Sequence, residues 1–454
     1  MPMNRLRMDE LVNAWVGGRT TPFQMGLLAV FEPGPFAGAD GSVDVNAVAR
    51  ELSRRASGIP ELRRRVLWTR IGEGRPVWVD DDVDLAEHLV TSGLAPGPDL
   101  ATWAANRTIR PLRRDRPLWR ADVVAELPGG RFAVLVVVHH LLADGLAGMR
   151  LLASLLDSDA DAPRSDPPAR SPNPMPSHRE LVWDNVRSRR RPSRGRRHEP
   201  CGRPAASVRR AIAQYREATS DLSAPLPRTS LPRVVGPSRR MSVATAPLQP
   251  LRAAAHAQRA TINDLLLGAV THGLRDLLTA RGECRESLFV RTIVPVALDR
   301  SRQAASLMVV DLPVGEPDQT RALAAITERT RARKAGLRVA RRTAPDLSSL
   351  PVPVARVFVP WARRRGSARI HLSVTNVPGP PAPLWFAGAR LVEAVPVPPL
   401  VPLVGLSVAA LSYTDRLTVA VNADGAVRDL DILRDGITTA LAHWATDDRH
   451  LDLG

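Results

Sequence analysis

Seven apolar residues in a row, Phe132–Val138, end in two adjacent histidines, His139 and His140, and Gly145 stands five residues after the second. The run is flanked on its other side by Pro128-Gly129-Gly130, a turn signal that folds it back on the alternating segment Arg120–Leu127. From Gly145 to Leu156 the apolar residues recur at helical spacing. A strand, a short loop and a helix are therefore written in succession. This order confines the chain to a mixed α/β architecture and puts the histidines where a rigid sheet can aim a side chain.

Neighbouring side chains on a strand point to opposite faces, so His139 and His140 can hardly bind one metal ion from the strand itself. One working imidazole and one structural imidazole is the simpler expectation. A neutral imidazole with an ordinary pKa near 6.5 is a general base at working pH. The sequence has no G-x-S-x-G elbow, no H-E-x-x-H and no phosphate-binding G-x-x-x-x-G-K loop. Covalent serine chemistry, zinc-dependent proteolysis and nucleoside triphosphate hydrolysis of those types are excluded.

The remaining elements continue the α/β pattern. Helices are predicted over Met8–Val16, Val45–Ser57, Leu248–Gln258, Ile262–Ala280 and Gln319–Arg333, and strands over Met25–Pro33, Leu288–Val296, Leu406–Ser412 and Leu417–Val421. Between 161 and 232 the composition turns to Pro, Asp, Ser and Arg, as in Arg187–Arg210. That stretch reads as a linker with short helices, separating an N-terminal half (1–160) from a C-terminal half (233–454). Ala394–Leu411 carries no charge, but Pro396, Pro398, Pro399 and Pro402 rule out a spanning helix there. It is expected to be a crossover followed by a buried strand.

The net charge is +17, and Lys334 is the one lysine. Such a balance suits anionic partners. With aromatic residues at 4%, stacking platforms for nucleic acid are few, and no nucleic-acid partner is expected. Most of the excess reads as compositional bias, with a phospholipid surface or a nucleotide-bearing thioester as the anionic partners, and Val352–Arg365, apolar with Arg363, Arg364 and Arg365 at its end, is read either as a surface-lying amphipathic helix or as a packed helix with a basic end. No signal peptide is read at the N-terminus and no disulfide framework from Cys201 and Cys284, so a cytoplasmic location is expected, peripheral to the membrane's inner face or to lipid inclusions.

Taken in order, the motifs resemble those of the bacterial wax ester synthase/diacylglycerol acyltransferase family, within the CoA-dependent acyltransferase superfamily. Its HHxxxDG stands here as His139-His140-Leu141-Leu142-Ala143-Asp144-Gly145. Upstream lies Arg116-Pro117-Leu118-Trp119; downstream come Thr261-Ile262-Asn263-Asp264, Val294-Pro295-Val296 and Ser373-Val374-Thr375-Asn376-Val377-Pro378-Gly379-Pro380. Two departures stand out: Thr375 replaces a serine, and Arg302–Met308 lacks a Gly-Asn element.

The resemblance implies two chloramphenicol-acetyltransferase-like halves with mixed sheets around a central tunnel. It implies His140 as general base, His139 as its supporting neighbour, Asp144 as an arginine-paired brace and Gly145 as the turn into the helix. Asn263, Asp264, Thr375, Asn376, Pro378 and Gly379 would line the substrate site, with Asn263 open to a second reading as the cap of its helix. No bound cofactor is expected. Acyl-CoA would be the co-substrate, with diacylglycerol or a fatty alcohol as acceptor, and an anionic membrane or lipid droplet as surface. Triacylglycerol would be the product, possible wax esters beside it. Another hydroxyl acceptor (a glycolipid or polyketide), or a catalytically weak lipid- or CoA-binding member, is the alternative.

Overall fold

The computed structural model describes residues 3–80, 85–92, 99–142, 145–162, 174–190, 209, 212–213, 225–296, 306–340 and 352–446. The chain opens with α1 (Met8–Val16) and β1 (Gln24–Phe31). Two helices, α2 (Val45–Gly58) and α3 (Pro60–Arg63), lead to the hairpin of β2 (Arg64–Leu67) and β3 (Val77–Asp80). Next come β4 (Leu89–Thr91), α4 (Leu100–Thr108), β5 (Trp119–Leu127), β6 (Arg131–His139), α5 (Gly145–Ala153) and α6 (His178–Arg190). The second part begins with β7 (Arg239–Pro247), α7 (Leu248–Ala257), α8 (Ile262–Ala280), β8 (Val290–Val296) and β9 (Ser306–Leu312). It continues through α9 (Gln319–Ala340), α10 (Val352–Ser367), β10 (Leu372–Val377), β11 (Trp385–Phe386) and β12 (Ala389–Val397). The hairpin of β13 (Leu406–Tyr413) and β14 (Arg416–Asp424) and the helix α11 (Leu430–Thr446) complete it.

Two mixed six-stranded sheets carry the fold, in the orders β11-β12-β1-β6-β5-β4 and β7-β14-β13-β10-β8-β9. In the first, β6 runs antiparallel to both β1 and β5, and β4 is parallel to β5. In the second, β10 is parallel to β8 and β13 while the outer pairs are antiparallel. Two strands of the C-terminal half, β11 and β12, join the sheet of the N-terminal half. Residues 385–397 belong to the C-terminal part in sequence, yet β12 pairs with β1 from Gly26↔Val397 onwards and completes the N-terminal sheet. The stretch expected to begin as a crossover at Ala394 is thus still strand to Val397. Pro396 is accommodated because β11 pairs with β12 only at Ala389 and Arg390, which leaves Pro396 at an edge of the sheet.

Burial explains the cohesion. Leu28, Val30, Val124, Leu135, Val137 and Val395 of the first sheet share a cluster with Met241 and Ala420 of the second, so the halves are bonded by apolar contact as well as by β12. Within the second half, α7, α8 and α11 cover one face of the sheet. Thr261 is the N-cap of α8. Its hydroxyl accepts from the Asp264 amide, and the Asp264 carboxylate accepts from the Thr261 amide, which is a capping box.

Helices α8 and α11 approach so closely that Gly273 has no room for a side chain: a Cβ there would lie 2.5 Å from the Leu433 carbonyl oxygen and 3.0 Å from Ile437. Gly273→Ala should therefore part the two helices and lower stability by about 1–3 kcal/mol. Thermal unfolding followed by circular dichroism checks this, and a melting temperature equal to that of the parent would refute the packing argument.

Candidate active site

His139 is the last residue of β6, and His140 follows it. The register pairs Gln24 with His139, so the residue before β1, Phe23, comes opposite His140. The His140 amide donates to the Phe23 carbonyl at 3.0 Å, and the two rings stack with centroids 4.2 Å apart and planes 19° from parallel. Asn13 of α1 donates its side-chain amide to the His140 carbonyl at 3.4 Å. The main chain of His140 is thus held by two hydrogen bonds and its ring by an aromatic plate on its face, and the residue is half-buried.

His139 has other partners. Its amide donates to the Leu118 carbonyl, and its Nδ1 accepts from the Leu141 amide at 3.0 Å. Accepting at Nδ1 leaves the proton on Nε2, so the tautomer is set by the loop itself. The turn closes when the Leu142 amide donates to the His139 carbonyl. Leu141 and Leu142 are buried in the first core, together with Trp119, whose indole N–H donates to the Leu62 carbonyl. Trp119 is therefore a packing residue.

Burial pushes both imidazoles down from 6.5. His140 falls to about 3, chiefly by desolvation, with His139 and Arg363 adding repulsion of positive charge. His139 falls to about 4 by desolvation, with Arg114 adding to it. Both rings are neutral at pH 7, and each keeps a lone pair. Arg363 lies on α10, and its own pKa is lowered by burial. The helix reaches the site through Val359, which packs with Val12, Val16, Trp15 and Phe23. Phe23, Asn13 and Arg363 have no place in the HHxxxDG pattern. Only the strand register and the packing of α10 on α1 identify them.

The other expected site residues fall in two further places. Asp144 lies outside the described residues, and Gly145 opens α5. Asn263 sits in the first turn of α8, and Thr261, not Asn263, is the cap. The Asn263 Nδ2 is buried without a hydrogen-bond partner. Asp264 is corrected to an internal role. It is 2% exposed, with one carboxylate oxygen in the capping box and the other accepting from the Thr330 hydroxyl at 2.7 Å.

Thr375 and Asn376 lie part-buried on β10, opposite Ala409 and Ala410 of β13. Beyond them Pro378 is exposed, and Gly379 crosses the end of β13. Its amide donates to the Ser412 hydroxyl at 3.1 Å, and a Cβ there would stand 2.0 Å from the Ser412 carbonyl oxygen. This close approach is what the glycine is for. Val377 packs into the same core as Leu141 and Leu142, which ties the β10 exit to the histidine loop.

The arrangement holds a neutral imidazole at a sheet end, with a buried amide donor on a separate element. Comparison with known proteins gives the family. The model of the wax ester synthase/diacylglycerol acyltransferase catalytic domain matches residues 8–266, and that of the WS/DGAT C-terminal domain matches residues 304–444. The chain is 32% identical over 444 residues to the probable diacylglycerol O-acyltransferase tgs1 of Mycobacterium tuberculosis, covering 93% of this chain and 91% of that one.

Among solved structures, the wax ester synthase/diacylglycerol acyltransferase from Marinobacter aquaeolei VT8 superposes with a TM-score of 0.69 at 23% identity, over 97% of this chain and 100% of that chain. The first condensation domain of the calcium-dependent antibiotic synthetase superposes with a TM-score of 0.55 at 19% identity, over 98% and 96%. Both share the mixed α/β fold. The chain therefore belongs to the wax ester synthase/diacylglycerol acyltransferase family of O-acyltransferases.

Proposed function

We propose that the protein transfers a fatty acyl group from acyl-CoA to the free hydroxyl of diacylglycerol, giving triacylglycerol, with His140 as general base. A fatty alcohol entering the same site would give a wax ester. The observation that carries the reading is the neutral imidazole of His140, stacked on Phe23 at the end of β6. The base takes the acceptor's hydroxyl proton as its oxygen attacks the thioester carbonyl. The C–S bond breaks, and the proton passes to the departing thiolate. An imidazolium in this position is costly, so the proton is passed on rather than held.

The tetrahedral intermediate places negative charge on the former carbonyl oxygen, which requires a donor. The Asn263 Nδ2 is buried and unsatisfied, a state that costs about 1–3 kcal/mol unless a ligand supplies an acceptor. It is assigned that oxyanion. Arginines outside the core would meet the CoA phosphates, and a peripheral contact with an anionic membrane or lipid droplet would supply the acceptor. Among the described residues no helix is long and apolar enough to cross a membrane.

Incubation with a long-chain acyl-CoA and diacylglycerol, with triacylglycerol measured by mass spectrometry, tests the reading. His140→Ala should lower kcat by roughly 10²–10⁴-fold; an unchanged rate in that variant would refute the base. Asn263→Ala should lower kcat by roughly 10²–10³-fold, with KM for acyl-CoA nearly constant and the melting temperature retained. A change confined to KM would remove Asn263 from the oxyanion role.

The depressed histidines also set a pH dependence. Their folded pKa values, about 3 and 4, lie below the 6.5 of the unfolded chain, so the unfolded chain binds protons first. Stability is complete above pH 6.5 and declines as pH falls from there toward 4 and 3. Melting temperatures between pH 8 and pH 5 should drop, and less steeply in His140→Gln. Over the range where the fold persists, the rate should show no acid limb near 6.5. A limb there would mean that His140 titrates as an ordinary imidazole.

A further inference from the structure

Helix α10 has two faces of different chemistry. Ala355, Val359 and Ala362 are buried, and Val359 seats the helix on α1 beside Phe23. The opposite face looks outward. Pro353, Val357, Pro360, Trp361 and Arg364 fall along one stripe at 3.6 residues per turn, and all five are exposed. Val357 is 74% exposed and Trp361 46%, two of the few large apolar side chains left in water. Arg356 lies to one side of the stripe and Arg365 to the other, both exposed, with the Arg365 guanidinium 5.7 Å from the Trp361 ring centroid. The helix holds no aspartate or glutamate.

Exposed Val and Trp on a soluble surface need a reason, and so does a helix face whose only charges are positive. An indole with arginines at its edges matches the headgroup level of a bilayer, where the ring enters the boundary and the guanidiniums meet phosphate. A protein or nucleic-acid partner fits less well, because four of the stripe's five residues are Pro, Val or Trp and only Arg364 carries a charge. The inner face of the same helix is one packing contact from the ring that stacks on His140.

We propose that the outer face of α10 is the docking surface for an anionic phospholipid layer, from which the lipid acceptor reaches His140 beneath it. This rests on the acyltransferase reading for the acceptor, but the docking can be read without it.

Cosedimentation of the full chain with vesicles tests the proposal, comparing phosphatidylcholine mixed with phosphatidylglycerol against phosphatidylcholine alone. The protein should bind the anionic vesicles, and high salt should release it. Arg356→Gln/Arg364→Gln/Arg365→Gln should weaken that binding on the order of 100-fold, at about 1 kcal/mol per arginine. Val357→Ser/Trp361→Ser should weaken binding to the same vesicles at least about tenfold.

Both variants should keep the parent's melting temperature and its transfer to a short-chain, water-soluble alcohol supplied without vesicles, while losing rate on diacylglycerol presented in anionic vesicles. Retained vesicle binding in the arginine variant, or equal binding of the parent to both vesicle types, overturns the docking surface. Vesicle binding that follows the variants in a protein with no transfer to any acceptor leaves the docking standing and overturns the acyltransferase reading.

Discussion

The antiparallel ladder between β1 and β6 is the constraint on which the remaining structure depends. It fixes the register Gln24↔His139, and with it the position of Phe23 over His140. On its other edge β1 takes β12 from the far part of the chain, so the same strand that places the aromatic plate also joins the two parts. A slip of one residue would move every core side chain of β1 to the wrong face. Leu28 and Val30 on one face and Leu27, Ala29 and Phe31 on the other pack into two different cores, so neither slip is tolerated. The placement of His140 is therefore a by-product of a strand pair that packs apolar side chains on both of its faces.

The two strands of that ladder were legible in the sequence because their apolar runs are long, but their pairing with each other was not. The span of helix α8 was legible from its apolar run, but its cap was not: the sequence offered Asn263, and Thr261 takes that place. Two further features were not legible. The strand β12 carries prolines toward its end and so reads as a crossover. Nothing local reveals that its partner is β1, more than three hundred and fifty residues away. The hairpin of β2 and β3 was hidden because its first strand is written Arg64-Arg65-Val66-Leu67, where arginine stems replace the apolar half of an alternating pattern.

The candidate site shows the same divide. Motif spacing located the histidine loop, Asn263 and the β10 exit, but it could not say which way a side chain is used. Asp264 and Asn263 are adjacent letters in one motif, yet the carboxylate is consumed inside the fold while the amide is left with an open donor. Only the hydrogen-bond partners separate a polar group that is satisfied within the fold from one that is not. Gly379 likewise reads as a turn residue, and its task becomes plain when the Ser412 carbonyl is found against it.

The excess of positive charge divides along similar lines. Part of it is internal: Asp122, fully buried in β5, is held between Arg107 and Arg120, and Arg291, 2% exposed, pairs with Asp311 at 2.7 Å. Arginine suits this work because its planar fork meets a carboxylate with two donors. These cations are neutralised where they sit and attract nothing from outside. The arginines of α10 differ in kind. Arg356, Arg364 and Arg365 are exposed on a helix without acids, and Arg363 on the same helix raises the cost of protonating His140. One helix thus presents positive charge to the surroundings on its outer face and to His140 on its inner one, where desolvation sets the imidazole's neutrality and Arg363 adds to it.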